Sequence, residues 1–364
     1  MIDSQAGSSE PACSFLRAVA PSVRSSLHSR VAVVRTATMR TPRGERPLIQ
    51  TTTAESPETM LPGPEIKPAK LTGKKGSRRN RTGKSLAEVA DRHVCYEASV
   101  QCVEAEIDFV TETFEKLRER PLRLLREDFC GTANTSCEFV SRHDDNRAIG
   151  VDLDEPTLQW GRDHNLSKLP DAGQARVELR NENVLTVETE PVEAILAMNF
   201  SYFIFQQRDL LRSYFEKCRA ALQDDGMLFL DCFGGHESFA ENEDHREIED
   251  DDGKPVLIGI NEHSKDGFTY VWDQHKYNPI TGEAVCKIHF HFPDKSKIKN
   301  AFTYVWRMWS LPELRELLTE AGFRQVDVYW EGTDEDTGEG NGEYYPTLDG
   351  EADPAWVAYI VAQK

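Results

Sequence analysis

The stretch LREDFCGTANTS, residues 125–136, combines an apolar approach, two acidic residues and a tight loop of small residues that leads into a helical segment. This outline is typical of a strand-to-helix connection that brings the backbone close to a ligand. Gly131 permits a close approach, and the small side chains of Thr132 and Ala133 permit the turn into the helix. A pyrophosphate loop would have the pattern G-x-G-x-x-G, and this stretch lacks two of those glycines. The sequence therefore disfavours a dinucleotide cofactor.

Strands and helices alternate along the chain after this loop. Apolar runs of strand length are followed by segments with helical spacing, and residues 85–120 in front of the loop form one or two helices. The alternation predicts an α/β fold, with a doubly wound, mostly parallel, Rossmann-like sheet of seven strands and helices on both faces. The predicted strands are LRLL, RAIGVDL, RVELRNENV, VEAILAMNF, GMLFLDCFG, RQVDVYWEG and AWVAYIVAQK.

The pattern changes after the fifth predicted strand. Residues 236–309 contain long alternating runs, among them PVLIGIN, FTYVWDQHKY and EAVCKIHFHF, joined by turn residues. Ser310 and Glu313 then form a capping box at the start of a helix. We therefore predict one domain over residues 85–364, with residues 236–309 as an antiparallel insertion on its substrate side.

Residues 1–84 differ in composition from the rest of the chain. They contain 15 Lys and Arg against 6 Asp and Glu, and no acidic residue occurs between Pro11 and Gly44. This composition predicts a disordered basic extension. An Arg- and Ser-rich segment of this kind is typical of a transit peptide, which would direct the protein to a mitochondrion or plastid. The alternative is a generic disordered extension on a cytoplasmic protein.

The remaining residues are strongly acidic. The extension contributes +9 to the total net charge of −19, so residues 85–364 carry −28. Such a charge repels phosphate backbones, so we do not expect nucleic acid as the main partner. No apolar run approaches the ~18 residues of a membrane span, and we expect no membrane partner. The eight scattered cysteines form no C-x-x-C pair, which indicates packed thiols and no metal site.

The loop and the strand ends that follow it resemble the class I S-adenosylmethionine-dependent methyltransferases. Their first motif has the form acidic-x-Gly-x-Gly-x-Gly, which residues 127–133 match with Phe129 and Ala133 in place of two glycines. The wording REDFCGTA resembles one branch of that family. The resemblance covers residues 96–364 and implies a transferase of class EC 2.1.1 with S-adenosyl-L-methionine as its cofactor.

The resemblance also implies cofactor-binding residues. Glu127 would order the amino or carboxylate end of the cofactor, and Arg126 would pair with a neighbouring acid or with the methionyl carboxylate. Asp152 corresponds to the acidic residue that accepts hydrogen bonds from the ribose hydroxyls, and Asn183 to an Asp that faces the adenine amino group. The full implied set is Tyr96, Glu127, Phe129, Gly131, Thr132, Asp152, Leu153, Asn183, Val184 and Asn199.

Residues 199–202 share their first and fourth positions with the N-P-P-Y loop with which amino methyltransferases hold planar amines. This likeness implies that Asn199 accepts an N–H of the acceptor and that Tyr202 stacks on it, so both are predicted catalytic positioning residues. The alternative is that Phe200 and Tyr202 form pocket wall only. Methyl transfer from a sulfonium is an in-line displacement whose thioether leaving group needs no proton, so positioning matters more than acid or base catalysis.

The predicted insertion is rich in aromatic side chains, and we expect it to close over the acceptor. His289 and His291 fall on one strand face without a further ligand at metal-site spacing; a base role for His236 or His289 is the alternative to a packed or solvent-facing ring. Residues 331–345 carry many carboxylates and glycines, which indicates a solvated loop or an acidic lip that attracts a cationic amine. The aromatic residues in question are Tyr270, Trp272, Phe290, Tyr304, Trp306 and Trp309.

These features together predict a methyltransferase that acts on a small-molecule acceptor, more readily at nitrogen than at oxygen or sulfur. One alternative is a non-catalytic protein of the same fold that serves as a binding or assembly subunit, with Phe129 filling the space of the methionyl group. The other is a methyltransferase that acts on protein or RNA.

Overall fold

The structure is a computed structural model that describes residues 83–249, 267–334 and 340–364. The predicted basic extension up to residue 82 and the predicted strand PVLIGIN lie outside the described residues. The described helices are α1 (Arg92–Val100), α2 (Val103–Arg118), α3 (Asn134–Ser141), α4 (Glu155–His164), α5 (Asp171–Gln174), α6 (Arg208–Ala221) and α7 (Leu311–Glu320). The described strands are β1 (Leu124–Asp128), β2 (Arg147–Asp152), β3 (Val177–Asn181), β4 (Val192–Ala197), β5 (Leu222–Gly234), β6 (Asn242–Glu247), β7 (Thr269–Tyr277), β8 (Glu283–His291), β9 (Lys297–Arg307), β10 (Gln325–Thr333), β11 (Gly340–Thr347) and β12 (Trp356–Gln363).

The main sheet has the order β11-β10-β12-β5-β4-β1-β2-β3. Strands β1 to β5 are parallel to one another, whereas β12 runs antiparallel between β5 and β10. The chain order reverses beside β1, so the carboxyl ends of β1 and β4 flank the switch point at which ligands bind in open α/β sheets. The predicted doubly wound, mostly parallel fold is confirmed.

Both faces of the central strands of the main sheet are buried because helices cover each of them. Every residue of β4 is buried, as expected for a central parallel strand. One face packs against α6 and α7, and the other against α2 and α3. Along β4, Ile195 and Ala197 face the first layer, while Ala194 and Leu196 face the second, which is the two-residue period of a strand.

The structure adds an eighth strand to the predicted seven. Residues 340–347 of the acidic, glycine-rich segment form β11, which pairs antiparallel with β10. The prediction of a solvated loop is wrong for these residues, while residues 335–339 lie outside the described part. Tyr344 explains the pairing, since its ring packs against Tyr359 and Phe109 of the core. One inward aromatic residue thus holds an otherwise polar edge strand.

The predicted insertion contains a second sheet with the order β6-β7-β8-β9, antiparallel throughout. A turn at Asn278–Gly282 joins β7 to β8, and Gly282 adopts the positive φ of +72° that glycine accepts without strain. Alternate residues of β7 and β9 face one side, which places Tyr270, Trp272, Tyr304 and Trp306 together. Among the described helices, none is long and apolar enough to cross a bilayer.

Candidate active site

The loop after β1 keeps the backbone of a glycine-rich motif although it contains a single glycine. Phe129, Gly131 and Ala133 have φ values of +60°, +53° and +55°, all in the left-handed region. These are the three positions at which the resembled motif has glycine. Residues other than glycine lose about 1–2 kcal/mol in this conformation. The loop is therefore held in its turn by contacts that outweigh this strain.

Asp152, at the end of β2, is one of those contacts. Its carboxylate accepts hydrogen bonds from the backbone N–H of Gly131 at 2.9 Å and of Asp154 at 2.8 Å. Burial raises the pKa of Asp152, while these hydrogen bonds act in the opposite direction. Leu153 follows with 67% of its surface exposed, an apolar side chain in the open beside the carboxylate. The pair offers hydrogen-bond acceptors next to an apolar surface.

The connection after β3 holds the next two predicted cofactor residues. The side-chain oxygen of Asn183 accepts a hydrogen bond from the backbone N–H of Leu185 at 2.9 Å. This oxygen therefore stabilises a local turn and has one lone pair left for a ligand. Val184 is 5% exposed and packs in the core.

The two acids at the end of β1 point to opposite faces of the sheet. Glu127 accepts hydrogen bonds from Ser136, at 2.9 Å from the backbone N–H and 2.5 Å from the hydroxyl. Burial raises the pKa of Glu127 to about 7. Asp128 instead forms a two-pronged ion pair with Arg126, with both distances 2.8 Å, and accepts a hydrogen bond from Tyr214 at 2.9 Å.

Of the two predicted partners of Arg126, the structure places the acid Asp128 beside it. Arg126 and Asp128 are each 1% exposed, so the pair lies inside the core between the sheet and α6. A guanidinium held in this way has no access to a ligand at the loop. We therefore assign Arg126 a structural role.

Helix α1 lies across the loop and contributes a residue that the sequence analysis missed. Glu97 accepts hydrogen bonds from the Thr132 hydroxyl at 2.5 Å and from the Asn165 side chain at 2.7 Å. Thr132 is thereby joined to α1, and Asn165 also donates to the Thr132 carbonyl at 3.1 Å. No motif marks Glu97, because its partners lie more than 30 positions away in the chain.

The turn after β4 has two consecutive left-handed residues, Asn199 with φ of +57° and Phe200 with φ of +56°. The carboxylate of Asp231 on β5 accepts both backbone N–H groups, at 2.7 Å and 2.8 Å. Burial raises the pKa of Asp231 to about 7. The sequence analysis missed Asp231, although an acid inside the apolar strand GMLFLDCFG is a readable signal.

A cavity lies beside this turn, which we call the aromatic cavity. The cavity and its solvent-open mouth together comprise about 410 Å³. Asn199 belongs to its wall, and the side-chain oxygen of Asn199 is buried with no hydrogen-bond partner among the described residues. The residues that line the cavity are Tyr96, Val100, Asn199, Phe200, Phe233, Tyr270, Trp272, Ile288, Tyr304 and Trp306.

The prediction that Tyr202 stacks on the acceptor requires a correction, because Tyr202 does not line the aromatic cavity. The short helical turn Ser201–Ile204 sends its side chain into the core, where it is fully buried. Its hydroxyl donates to the backbone carbonyl of Asp231 at 2.7 Å. Phe200, the alternative wall residue, faces the cavity instead. Tyr202 therefore supports the strand that carries Asp231 and does not stack on an acceptor.

The other predicted residues also form two groups, those that line the aromatic cavity and those that do not. Tyr96 and four of the aromatic residues of the insertion meet at the cavity, whereas Phe290 packs against Phe268 with ring centres 5.5 Å apart and Trp309 packs against Arg307. His289 accepts the backbone N–H of Asn300 at 2.8 Å and is not part of the cavity wall. Among the described side chains, no group of three or more His, Cys, Asp or Glu is arranged to hold a metal ion.

Phe129, the residue at the first substituted glycine position, packs against core side chains. Its ring centre lies 5.9 Å from that of Phe205 and 5.8 Å from that of Tyr214. Both neighbours belong to the hydrophobic layer between the main sheet and α6. The bulky side chain therefore contributes packing that compensates for the left-handed backbone.

No protein-family model matches the sequence, and no curated protein matches it. Solved structures do match the fold. DesVI of Streptomyces venezuelae has a TM-score of 0.53 at 16% identity, over 77% of this chain and 98% of its own. SAM-bound CalS10, an amino pentose methyltransferase from Micromonospora echinaspora, has a TM-score of 0.52 at 15% identity, over 74% and 95%.

A third similar structure is a S-adenosylmethionine-dependent methyltransferase from Clostridium acetobutylicum, with a TM-score of 0.51 at 13% identity, over 74% of this chain and 96% of its own. Identities of this size are informative about the fold alone. These similarities agree with the strand order of the main sheet, in which β12 is antiparallel, and with the presence of a second, antiparallel sheet. The chain has the class I methyltransferase fold.

Proposed function

We propose that the protein is a S-adenosylmethionine-dependent methyltransferase that methylates the nitrogen of a small-molecule amine. The observation that carries the proposal is the unpartnered, buried oxygen of Asn199 at the wall of the aromatic cavity. A buried acceptor atom without a partner is destabilising by about 1–3 kcal/mol, and an N–H group of a ligand would satisfy it. The likeness to an amino pentose methyltransferase supports an amine acceptor.

The residues around the loop after β1 fit the cofactor. Bound there, S-adenosylmethionine would supply an electrophilic methyl group on a sulfonium. Asp152 would accept the ribose hydroxyls, since each of its oxygens uses one lone pair for a backbone N–H and keeps another. Leu153 and Asn183 would contact the adenine, and Glu127 the amino end of the methionyl group. A Cβ atom at Gly131 would lie in ordinary van der Waals contact with Thr157, at 3.9 Å.

Asn199 would orient the acceptor for transfer. Its oxygen would accept an N–H of the amine and so fix the direction of the nitrogen lone pair, and the bound cofactor would supply the methyl group. The described wall residues include no Asp, Glu, His, Lys or Arg, so the amine reacts as the free base and its surplus proton leaves to solvent after transfer. The aromatic wall would shield the acceptor from water on the closed side of the cavity.

Isothermal titration of the full-length protein with S-adenosylmethionine tests the cofactor assignment. We expect wild type to bind and Asp152→Ala to bind at least about tenfold more weakly, because a charge-assisted hydrogen bond is lost. Asp145→Ala is the matched control, since the Asp145 side chain is 78% exposed on another turn, and it should bind as wild type does. Absence of binding by wild type, or unchanged binding by a folded Asp152→Ala, would overturn the proposal.

The same titration addresses the non-catalytic alternative. That alternative requires Phe129 to fill the methionyl space, yet the ring packs against Phe205 and Tyr214 in the core layer. Native mass spectrometry of freshly purified protein adds an independent reading, because retained cofactor or its demethylated product supports an enzyme. Activity that is lost on deletion of residues 1–84 would favour a protein or RNA acceptor.

A further inference from the structure

The aromatic cavity concentrates unsatisfied polar atoms. Among the described residues, three buried side-chain nitrogen or oxygen atoms that have no hydrogen-bond partner belong to residues that line this one cavity. They are the side-chain oxygen of Asn199 and the indole nitrogens of Trp272 and Trp306. Native proteins leave few such atoms, and a cluster of them at a cavity indicates atoms that a ligand satisfies.

The two indoles sit on strands β7 and β9 of the second sheet. Their ring centres are 6.0 Å apart, and Tyr304 stacks on Trp306 at 4.6 Å. This packing fixes both rings, so the positions of the two N–H groups are fixed as well. An indole N–H donates a hydrogen bond and accepts none, so each needs an oxygen or another acceptor atom on the ligand.

The described cavity wall is uncharged. It combines aromatic rings, Val100, Ile288 and the amide of Asn199, and it contains no Lys, Arg or His. An acceptor with an ionised carboxylate or phosphate would lose its hydration there without gaining a cation, which is strongly unfavourable. A neutral hydroxyl, by contrast, has no charge to desolvate, and its oxygen accepts one indole N–H.

We propose that Trp272 and Trp306 are specificity-determining residues, whose indole N–H groups donate to uncharged oxygens of the methyl acceptor. The acceptor is then an amino alcohol, with its nitrogen at Asn199 and its hydroxyl oxygens at the two indoles, and acid-bearing amines are rejected. This inference rests on the proposed function, because it assigns the acceptor of that same cavity.

Three ring amines of one shape test the inference: trans-4-aminocyclohexanol, cyclohexylamine and trans-4-aminocyclohexanecarboxylic acid. Binding of each to the full-length protein, saturated with S-adenosylhomocysteine, is measured by calorimetry. We expect the amino alcohol to bind about tenfold more tightly than cyclohexylamine, equivalent to about 1.4 kcal/mol, and the amino acid not to bind measurably.

The variants Trp272→Phe and Trp306→Phe, singly and together, remove the N–H groups and keep an aromatic ring. The double variant should bind the amino alcohol and cyclohexylamine equally, with its affinity for the nucleoside unchanged. Trp309→Phe is the matched control, since its indole nitrogen is also buried without a partner but lies outside the cavity wall. It should keep the full preference for the hydroxyl.

Several results would overturn the inference. They are equal binding of the amino alcohol and cyclohexylamine by wild type, an unchanged preference in the double variant, binding of the amino acid as tightly as the amino alcohol, and no binding of any amine. Failure of the proposed function is distinguishable from these, because it appears as absence of nucleoside binding before any amine is added.

Discussion

The carboxylate of Asp231 accepts a hydrogen bond from the backbone N–H of Asn199 at 2.7 Å, across 32 positions of the chain. The same carboxylate holds the N–H of Phe200 at 2.8 Å. These two bonds fix the left-handed turn that presents the Asn199 side chain at the aromatic cavity. Asp231 is therefore a positioning residue for the proposed acceptor contact.

Replacement of Asp231 by Asn should weaken acceptor use and leave cofactor binding intact. An Asn side chain has one oxygen, whereas both carboxylate oxygens of Asp231 accept a backbone N–H of the turn. One of these N–H groups therefore loses its partner, and the turn shifts. We expect the acceptor kcat/KM to fall by about 10–100-fold, with the cofactor Kd unchanged in titration. Asp144→Asn, at a fully exposed side chain, is the control. Unchanged kcat/KM in a folded Asp231→Asn protein would contradict the positioning role.

Asp231 also predicts a pH dependence of acceptor use. Its pKa is about 7, so it gains a proton as pH falls through that value and becomes a weaker hydrogen-bond acceptor. The acceptor KM, computed for the free-base concentration, should therefore rise below about pH 7 in wild type and lack this step in Asp231→Asn. An identical step in both proteins would assign it to another group.

Tyr202→Phe should affect stability and spare acceptor binding. The hydroxyl donates to the carbonyl of Asp231 inside the core, so its removal leaves a buried carbonyl with one partner fewer. We expect a loss of about 1 kcal/mol in the free energy of unfolding, measured with urea, and an unchanged acceptor KM. A raised KM without a loss of stability would restore Tyr202 to the acceptor site.

Two substitutions at Phe129 isolate the strain of the loop after β1. Phe129→Ala and Phe129→Gly lose the same ring contacts with Phe205 and Tyr214, and they differ in tolerance of the +60° φ. Phe129→Gly should therefore be more stable than Phe129→Ala by about 1 kcal/mol in urea unfolding, despite the greater flexibility of its unfolded chain. The reverse order would mean that the left-handed backbone carries no strain.

Arg126→Leu tests the structural role of the buried ion pair. The substitution leaves Asp128 as an uncompensated buried charge beside Tyr214, so we expect a loss of about 3–5 kcal/mol in the free energy of unfolding. The double variant with Asp128→Leu should recover part of this loss. A stable Arg126→Leu protein that no longer binds S-adenosylmethionine would instead place the guanidinium at the methionyl carboxylate.

Glu127 predicts a pH dependence of stability. Burial raises its pKa in the folded protein from 4.5 to about 7, so the folded state binds a proton more strongly than the unfolded state between these values. The stability that Glu127 contributes is therefore complete below pH 4.5 and is lost as pH rises towards 7. The loss is on the order of 3 kcal/mol.

Urea unfolding of wild type and Glu127→Gln at about pH 5 and about pH 8 measures this contribution, because the substituted amide does not titrate. The stability difference between the two proteins should shift in favour of Glu127→Gln as pH rises. Exposed carboxylates are common to both proteins and cancel in the comparison. A difference that is independent of pH would show that Glu127 titrates normally.

The sequence by itself determined the features that repeat locally along the chain. Alternating strands and helices predict the doubly wound sheet. The loop from Glu127 to Ala133 resembles the first methyltransferase motif although Phe129 and Ala133 replace two of its glycines. The ends of parallel strands meet at one edge, so Asp152 and Asn199 could be assigned to that edge from their positions alone. The two-residue period of the insertion likewise groups Trp272 and Tyr270 on one side.

Only the tertiary structure decided which side chains meet. Asp231 contacts Asn199, and Glu97 contacts Thr132. The two residues of each pair are far apart in sequence, and no local pattern encodes their contact. The turn after β4 shows why. Phe200 faces the cavity, whereas Tyr202, two residues later, faces the core, and the packing of the surrounding elements decides these orientations. Periodicity depends on neighbours in the chain and can be read directly, whereas side-chain contacts depend on the packing of the whole fold.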